Sequence, residues 1–194
     1  MSPWQLAGLD LAGFRRLPLF ARLHIAAAPY VGWRYDLARP RVAYPSPAVP
    51  HSLVDPAAGV TNCSTLTASV LTAAYPDADW TPREYGDLQV FADRLPGYPD
   101  APIRALERVG VGSRIDRPTA STAYLVQLWR QTGAKPGDFR GHAVIVLRYS
   151  DGRLRLLEAT SREGGLGARW RDVTVDELEA EGRAAIYYGA LGLG

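Results

Sequence analysis

The sequence predicts an α+β fold in which helices come first and an antiparallel β-sheet follows. Three observations predict it. Apolar residues recur at helical spacing over 17–28 and 62–74. Alternating strand patterns follow at HAVIVLRY (142–149) and RLRLLEAT (153–160). Helices segregated before consecutive antiparallel strands are the pattern of α+β proteins, so we predict N-terminal helices packed on an antiparallel sheet.

The helical patterns of the first half are bounded by proline. The stretch Leu17–Ala28 begins near Pro18 and ends before Pro29, since proline fits a first turn and disfavours helix in the residue before it. A proline-rich loop is predicted over 39–56. A second helix is predicted from about 62 to 74, where Leu66, Val70 and Ala73 follow helical spacing.

The region from about 76 to 118 has the weakest periodicity of the chain. It predicts two short helices, near 83–95 and 103–109. Helical spacing returns over 121–131, with Gly133 placed to end the helix.

The last quarter of the chain predicts strands and one short helix. The two alternating strands are joined by the turn signal Ser150-Asp151-Gly152. Thr174 and Glu177 form a capping box that begins a helix through about residue 181. A last strand is predicted over 184–190, and the length of 194 residues fits a single domain over 1–194.

Charge and composition exclude several classes of function. Net charge is +2, from 22 basic and 20 acidic residues, and no dense basic run is present, so we predict neither a nucleic-acid partner nor an anionic membrane surface. One cysteine and three histidines allow no disulfide and no cysteine-rich zinc cluster, and we expect no metal and no cofactor. No signal peptide and no run of about 18 apolar residues is found, which predicts a cytoplasmic protein without a membrane span.

Cys63 is the candidate nucleophile because it lies at a predicted helix start, where unpaired N–H groups and the helix dipole stabilise a thiolate. An ordinary thiol has a pKa of ~8.5, and lowering it by about two units needs roughly 2.7 kcal/mol. The dipole supplies only ~1 kcal/mol. The rest of the stabilisation of the thiolate requires a nearby imidazolium. The hypothesis that Cys63 is a nucleophile therefore depends on a histidine partner.

His142 is the best placed of the three histidines, because it begins an apolar strand where a cleft can meet a sheet. His24 lies inside an amphipathic helix, where a surface role is the ordinary expectation. His51 lies in the proline-rich loop, where nothing fixes its orientation.

Glu158 can orient His142 if the hairpin has the right register. A three-residue turn pairs Tyr149 with Arg153, which sets His142 opposite Thr160 and diagonal to Glu158 on the same face. A two-residue Asp-Gly turn would place His142 and Glu158 on opposite faces. The longer turn also places Arg153 and Arg155 on the face opposite to the apolar side chains of Val144, Val146, Leu154 and Leu156, so the burial pattern favours it.

These residues in this order resemble the NlpC-type papain-like cysteine peptidases, a superfamily of bacterial and phage cell-wall endopeptidases. The similar segments are Pro29-Tyr30 after a helix, Asn62-Cys63-Ser64-Thr65, Pro136-Gly137-Asp138 before Gly141-His142, and Leu157-Glu158-Ala159. They span roughly residues 17–160, and relative to the family's pattern the region from about 76 to 118 looks like an insertion. The family's usual Asp before cysteine, Gly after serine and third-position His are Asn62, Thr65 and Glu158 here.

The resemblance implies a papain-like fold and hydrolysis of an amide through a thioester. Cys63 would attack the carbonyl carbon, His142 would be general base and then acid, and Glu158 would orient the imidazole. Tyr35, preferred over Tyr30, would line the substrate site with Asn62 and Ser64 near the oxyanion. A peptide or peptidoglycan stem peptide is the implied substrate, with a phage-encoded or non-classically exported enzyme as the setting.

Two alternatives share the same scaffold. An acyltransferase or transglutaminase-like enzyme would form the same thioester and pass the acyl group to an amine. A non-catalytic binding module would keep the fold with an unreactive cysteine. Oligomeric state is not predicted.

Overall fold

A six-stranded antiparallel sheet lies at the centre of the fold, which is mixed α+β as the sequence predicts. The structure is a computed structural model, and it describes residues 2–36, 59–89, 99–118, 123–131, 139–148, 152–161, 167–182 and 184–192. The strand order in the sheet is β3 (Gly112–Ile115), β8 (Ala185–Leu191), β4 (Ala123–Gln131), β5 (Phe139–Arg148), β6 (Leu154–Thr160) and β7 (Gly167–Val173). Strands β4 to β7 are consecutive neighbours, and β8 returns to pair with the other edge of β4.

The elements follow one another with helices dominating the first half. The helices are α1 Pro3–Leu6, α2 Leu11–Arg15, α3 Leu19–Ala27, α4 Cys63–Ala74, α5 Pro82–Leu88, α6 Ala101–Arg108 and α7 Val175–Glu181, with a 3₁₀ turn at Ala28–Tyr30. The strands are β1 Arg34–Tyr35, β2 Val60–Thr61, β3 Gly112–Ile115, β4 Ala123–Gln131, β5 Phe139–Arg148, β6 Leu154–Thr160, β7 Gly167–Val173 and β8 Ala185–Leu191.

Two hydrophobic clusters lie on opposite faces of the sheet. On one face Leu125, Ile145 and Leu157 pack with the N-terminal helices and α4. On the other face Val126, Val144 and Leu156 belong to a smaller cluster completed by α7, through its buried Leu178. Alternation of side chains along the strands produces this division. Every residue of α4 is buried, so this helix forms the middle of the helical layer.

Most predicted elements are confirmed near their predicted positions. Helices α3 and α4 lie within the two N-terminal helical patterns, and α5 and α6 begin one and two residues before the predicted starts at 83 and 103. The capping box at Thr174 and Glu177 is formed. The last strand, β8, is shifted by one residue. The proline-rich loop over 39–56 lies outside the described residues, as do residues 150 and 151 of the predicted turn at 150–152.

The helix predicted over 121–131 is wrong, since residues 123–131 form strand β4, and Gly133 lies outside the described residues. Seven successive residues of β4, Ala123 to Trp129, are buried. The strand is central, between β5 and β8, and both of its faces carry a cluster. A continuous apolar run of this kind does not alternate, so periodicity alone does not separate it from a buried helix.

The region from 76 to 118 supplies α5, α6 and the edge strand β3, which pairs with β8. The interpretation of this region as an insertion and of the chain as one domain stays a prediction. No helix in the described ranges is long and apolar enough to cross a membrane.

A close backbone contact fixes the segment that leads into β1. Gly32 N–H donates to the Ala168 carbonyl, and Ala168 N–H donates to the Trp33 carbonyl, both at 2.8 Å. Gly167 lies beside this contact with φ of +134°. A Cβ atom there would lie 1.6 Å from the Trp33 carbonyl oxygen, so only glycine allows the approach.

We therefore expect Gly167→Ala to lower the free energy of unfolding by more than about 2 kcal/mol, because it adds a steric clash to an unfavourable φ. Gly8→Ala is the matched control. Gly8 has φ of +73° and no atom within 4 Å of an added Cβ, so only the conformational cost of about 1 kcal/mol applies. Urea unfolding of both variants makes the comparison, and equal losses would contradict the steric argument.

Candidate active site

The start of α4 is organised by Asn62. Its extended backbone and side chain cap the helix: Oδ1 accepts from Thr65 N–H at 2.9 Å and from Ser64 Oγ at 3.0 Å. The Asn62 carbonyl accepts from Leu66 N–H at 2.9 Å. The bond from Thr65 satisfies one of the N–H groups that a helix start leaves unpaired.

Strands β5 and β6 separate beside this helix start. They pair from Arg148↔Leu154 to Ile145↔Leu157. Beyond that point β5 continues to pair only with β4, as far as Phe139, and β6 continues only with β7, as far as Thr160. The sheet therefore opens into a fork, whose two prongs carry His142 and Glu158.

The first turn of α4 lies where β5 and β6 separate. Thr67 Oγ1 lies 2.8 Å from the carbonyl oxygen of Cys63 and 3.4 Å from that of Ala143, on β5. The Ala143 backbone also helps to lower the pKa of the Cys63 thiol. Helix α4 thus contacts the Ala143 backbone at a point where β6 no longer pairs with β5, and this places Cys63 beside His142.

His142 bridges the two prongs of the fork. Its Nε2 lies 3.4 Å from Glu158 Oε2, and its ring interacts with Cys63 closely enough to lower the pKa of the thiol. Because Nε2 faces the carboxylate, Nδ1 is the ring nitrogen left for the thiol. The structure thus brings Cys63, His142 and Glu158 together, in the hairpin register that the three-residue turn predicts.

The electrostatics of the three groups favour a charged pair. Burial alone would raise the pKa of the Cys63 thiol, but the hydrogen bond and charge of His142, with the N–H groups of Ala143 and Ser64, lower it overall. Burial alone would lower the pKa of His142, whereas its hydrogen bonds and charge interactions with Cys63 and Glu158 raise it well above the usual value. Both pKa shifts favour the charged forms of the two residues, a thiolate on Cys63 and an imidazolium on His142.

Glu158 is itself held by two arginines of β7. Arg169 donates to Oε1 from Nε at 3.1 Å and from Nη2 at 3.0 Å, and Arg171 Nε lies 3.1 Å from the same oxygen. Burial alone would raise the pKa of Glu158, but the hydrogen bond with His142 and the positive charges of Arg171, His142 and Arg169 lower it to about 2. The carboxylate therefore stays charged throughout the neutral range.

A second carboxylate holds Arg171 in place. Its Nη1 donates to Glu181 Oε1 at 2.7 Å, at the end of α7. Arg130 on β4 also pairs with the Glu181 carboxylate, and its Nε donates to the Glu181 backbone carbonyl at 2.7 Å. The network ties the orientation of Glu158 to α7 and to the centre of the sheet, and so limits rotation of the carboxylate beside His142.

Tyr35 lies close to Cys63. Strand β1 runs parallel to β2, with Tyr35 opposite Thr61, and Asp36 N–H donates to the Thr61 carbonyl at 2.9 Å. This pairing places Tyr35 beside the residues that lead into α4. Burial, together with the negative charge of Cys63, raises the pKa of Tyr35, while Arg140 opposes the shift. The hydroxyl stays protonated and can donate a hydrogen bond.

The other predicted site residues have mixed outcomes. Asn62 and Ser64 adjoin Cys63, but their side chains bond to each other and to the helix start, so their role toward substrate stays a prediction. His24 lies on the exposed side of α3, with its ring centroid 4.8 Å from that of Trp170. Partial desolvation of the ring, with the positive charge of Arg155, lowers the pKa of His24. His51 lies outside the described residues.

Comparison with known proteins leaves the chain unplaced: no family model, no curated protein and no solved structure matches it. Any assignment of function to this chain therefore depends on its sequence and on the geometry of the site.

Several contributors to this site carry no clear signal in the sequence. Thr67 acts through its hydroxyl and Ala143 through its backbone, and no motif marks either residue. The sequence pattern does not predict β7 as a strand, and so it does not point to Arg169 and Arg171. The alternating Arg-Trp-Arg of 169–171 was the available signal, since alternate residues of a strand share one face. In the part of the chain that the structure describes, no group of three His, Cys, Asp or Glu side chains could hold a metal ion.

Replacing Glu158 with glutamine is expected to lower the free energy of unfolding by about 3 kcal/mol at pH 7, because the lowered pKa measures how strongly the surroundings favour the charged carboxylate. A carboxylate whose pKa is lowered in the folded protein contributes its full stabilisation to the fold at pH values above its unfolded-state pKa of about 4.3. This contribution is lost as the pH falls through the folded-state pKa of about 2. The difference in free energy of unfolding between the parent protein and the variant should therefore decrease as the pH falls from about 4 to about 2. Urea titrations at several pH values measure it, and a difference independent of pH would contradict the charge argument.

Proposed function

We propose that the chain is a cysteine hydrolase of papain-like, NlpC-type organisation, in which Cys63 is the nucleophile, His142 the general acid and base, and Glu158 the residue that orients His142. The observation that carries the proposal is the position of His142, whose imidazole interacts with the Cys63 thiol and contacts the buried Glu158 carboxylate. A nucleophile, a base and an orienting group in this order form the constellation that covalent catalysis requires.

In the proposed reaction the Cys63 thiolate attacks the carbonyl carbon of an amide, and the carbonyl electron pair moves to its oxygen. Collapse of this intermediate breaks the C–N bond, and the imidazolium of His142 gives its proton to the departing nitrogen. A thioester remains on Cys63. Water then attacks the thioester with His142 accepting its proton, and the acid leaves as the thiolate–imidazolium pair is restored.

The N–H of Cys63 is the first candidate for the oxyanion donor. Two N–H groups of the first turn of α4 are bonded: Thr65 donates to the Asn62 side chain and Leu66 to the Asn62 carbonyl. The Ser64 N–H helps to lower the pKa of the thiol, and the Cys63 N–H lies at the same helix start, whose dipole favours negative charge. The protonated Tyr35 hydroxyl, close to Cys63, is the second candidate.

The proposal is tested by mass spectrometry of the intact protein mixed with short peptide amides, including a peptidoglycan stem peptide. We expect an acyl adduct on Cys63 that decays to free acid and is absent in Cys63→Ala. A protein that forms no adduct, or forms one equally in Cys63→Ala, would overturn the nucleophile assignment. With glycinamide added as an amine acceptor, preferential formation of the amide product would identify an acyltransferase instead of a hydrolase.

A further inference from the structure

A cavity of about 200 Å³ lies at the other end of α4, away from Cys63. Since α4 has twelve residues, its two ends are about 18 Å apart. The lining comes from α3, from the chain that follows α4, and from the turn between α6 and β3; it includes Arg22, Tyr75, Asp77 and Val111. The cavity is therefore separate from the proposed catalytic groups, which lie at the first turn of α4.

Arg22 gives the cavity its chemistry. The residue is only 8% exposed, and its Nε has no hydrogen-bond partner among the described residues. Its guanidinium carbon lies 5.4 Å from the centre of the Tyr75 ring, and over the described part of the chain this cation–π contact is the one interaction found for the guanidinium. Arginine is rarely buried without an anionic partner, because its guanidinium presents five N–H donors and always carries charge.

The acidic residue of the cavity does not neutralise Arg22. Asp77 pairs instead with Arg15: Arg15 Nε donates to Oδ2 at 2.9 Å, and a second bond joins Nη2 to Oδ1. The Tyr75 hydroxyl donates to the Gly192 carbonyl at 2.8 Å, so it is also engaged. With Asp77 balanced by Arg15, the cavity keeps the single positive charge of Arg22.

We propose that this cavity is a binding site for a small oxyanion, held by the Arg22 guanidinium over the Tyr75 ring. A planar guanidinium forms paired hydrogen bonds with carboxylate and phosphate oxygens, and the Tyr75 ring lies on one side of the Arg22 guanidinium. The cavity is smaller than the roughly 300–1,000 Å³ typical of sites for drug-sized ligands, so the ligand is a small anion or the anionic end of a larger molecule.

The test is isothermal titration of the protein with inorganic phosphate and, separately, with succinate, in chloride buffer of constant ionic strength. We expect saturable binding of at least one of them, and the preferred anion distinguishes a phosphate from a carboxylate ligand. Arg22→Met should weaken that binding at least about tenfold, as expected for the loss of a charge-assisted pair, whereas Arg16→Met, which removes an exposed arginine of the same segment, should leave it unchanged. No binding of either anion, or equal binding in Arg22→Met, would overturn the proposal.

A second measurement needs no variant. The nuclear magnetic resonance signal of the Arg22 Nε–H, assigned by through-bond correlations within the residue, should shift as the preferred anion is added to the unmodified protein. A signal that stays in place while the protein is saturated would place the anion elsewhere and overturn the site.

Discussion

Replacing Cys63 with alanine should lower kcat/KM for an acyl substrate at least about 1,000-fold, since a missing nucleophile leaves only binding and oxyanion stabilisation. The side chain is 2% exposed and small, so its loss costs little packing and the variant should remain folded. Ser69→Ala, which truncates another small buried side chain of α4, is the matched control and should retain activity. Activity in Cys63→Ala comparable to that of Ser69→Ala would exclude the thioester route.

Removal of the imidazole in His142→Ala should slow alkylation of Cys63 by iodoacetamide at least about tenfold at about pH 6. The ordinary thiol pKa of about 8.5 leaves well under about one per cent thiolate at that pH, and the greater nucleophilicity of such a thiolate recovers only part of the loss. His24→Ala removes an exposed imidazole and should have no effect. Equal rates in all three proteins would favour a binding module with an unreactive cysteine.

The pH dependence of activity in the unmodified protein follows from the same pair. The pKa of Cys63 is lowered and that of His142 is raised, so the ion pair persists between the two shifted values. For hydrolysis, we expect activity to fall on the acid side as the thiolate is protonated and on the alkaline side as His142 loses its proton. Glu158 does not set the acid limb, because its pKa of about 2 lies below it.

Local chemistry made part of this site predictable. The helix start at Cys63 and its capping by Asn62 are decided by a few adjacent residues. The register that brings Glu158 to His142 is decided by one turn and by the alternation of apolar and charged residues in two neighbouring strands. In each case the interacting residues are close in the sequence.

The parts that could not be predicted depend on contacts between distant segments. Thr67 meets Ala143 only because β5 and β6 separate and α4 enters the fork, and the two residues are 76 positions apart. Strand β4 has the sequence pattern of a helix because burial on both faces removes the alternation that marks a strand. The arginines that hold Glu158 lie on β7, a strand that the sequence pattern does not predict.

The ionisation of Cys63 tests the central claim most directly, and the chain contains one cysteine, so the thiolate can be observed without interference from another. Thiolate absorbance in the ultraviolet is measured against pH, with Cys63→Ala subtracted to remove the tyrosine signal. A Cys63–His142 ion pair predicts that the thiolate persists below the ordinary thiol pKa of about 8.5 and disappears only as the solution is made more acid, because the imidazolium lowers the pKa of Cys63. Thiolate that appears only above that ordinary value would contradict the pair, and with it the proposed nucleophile.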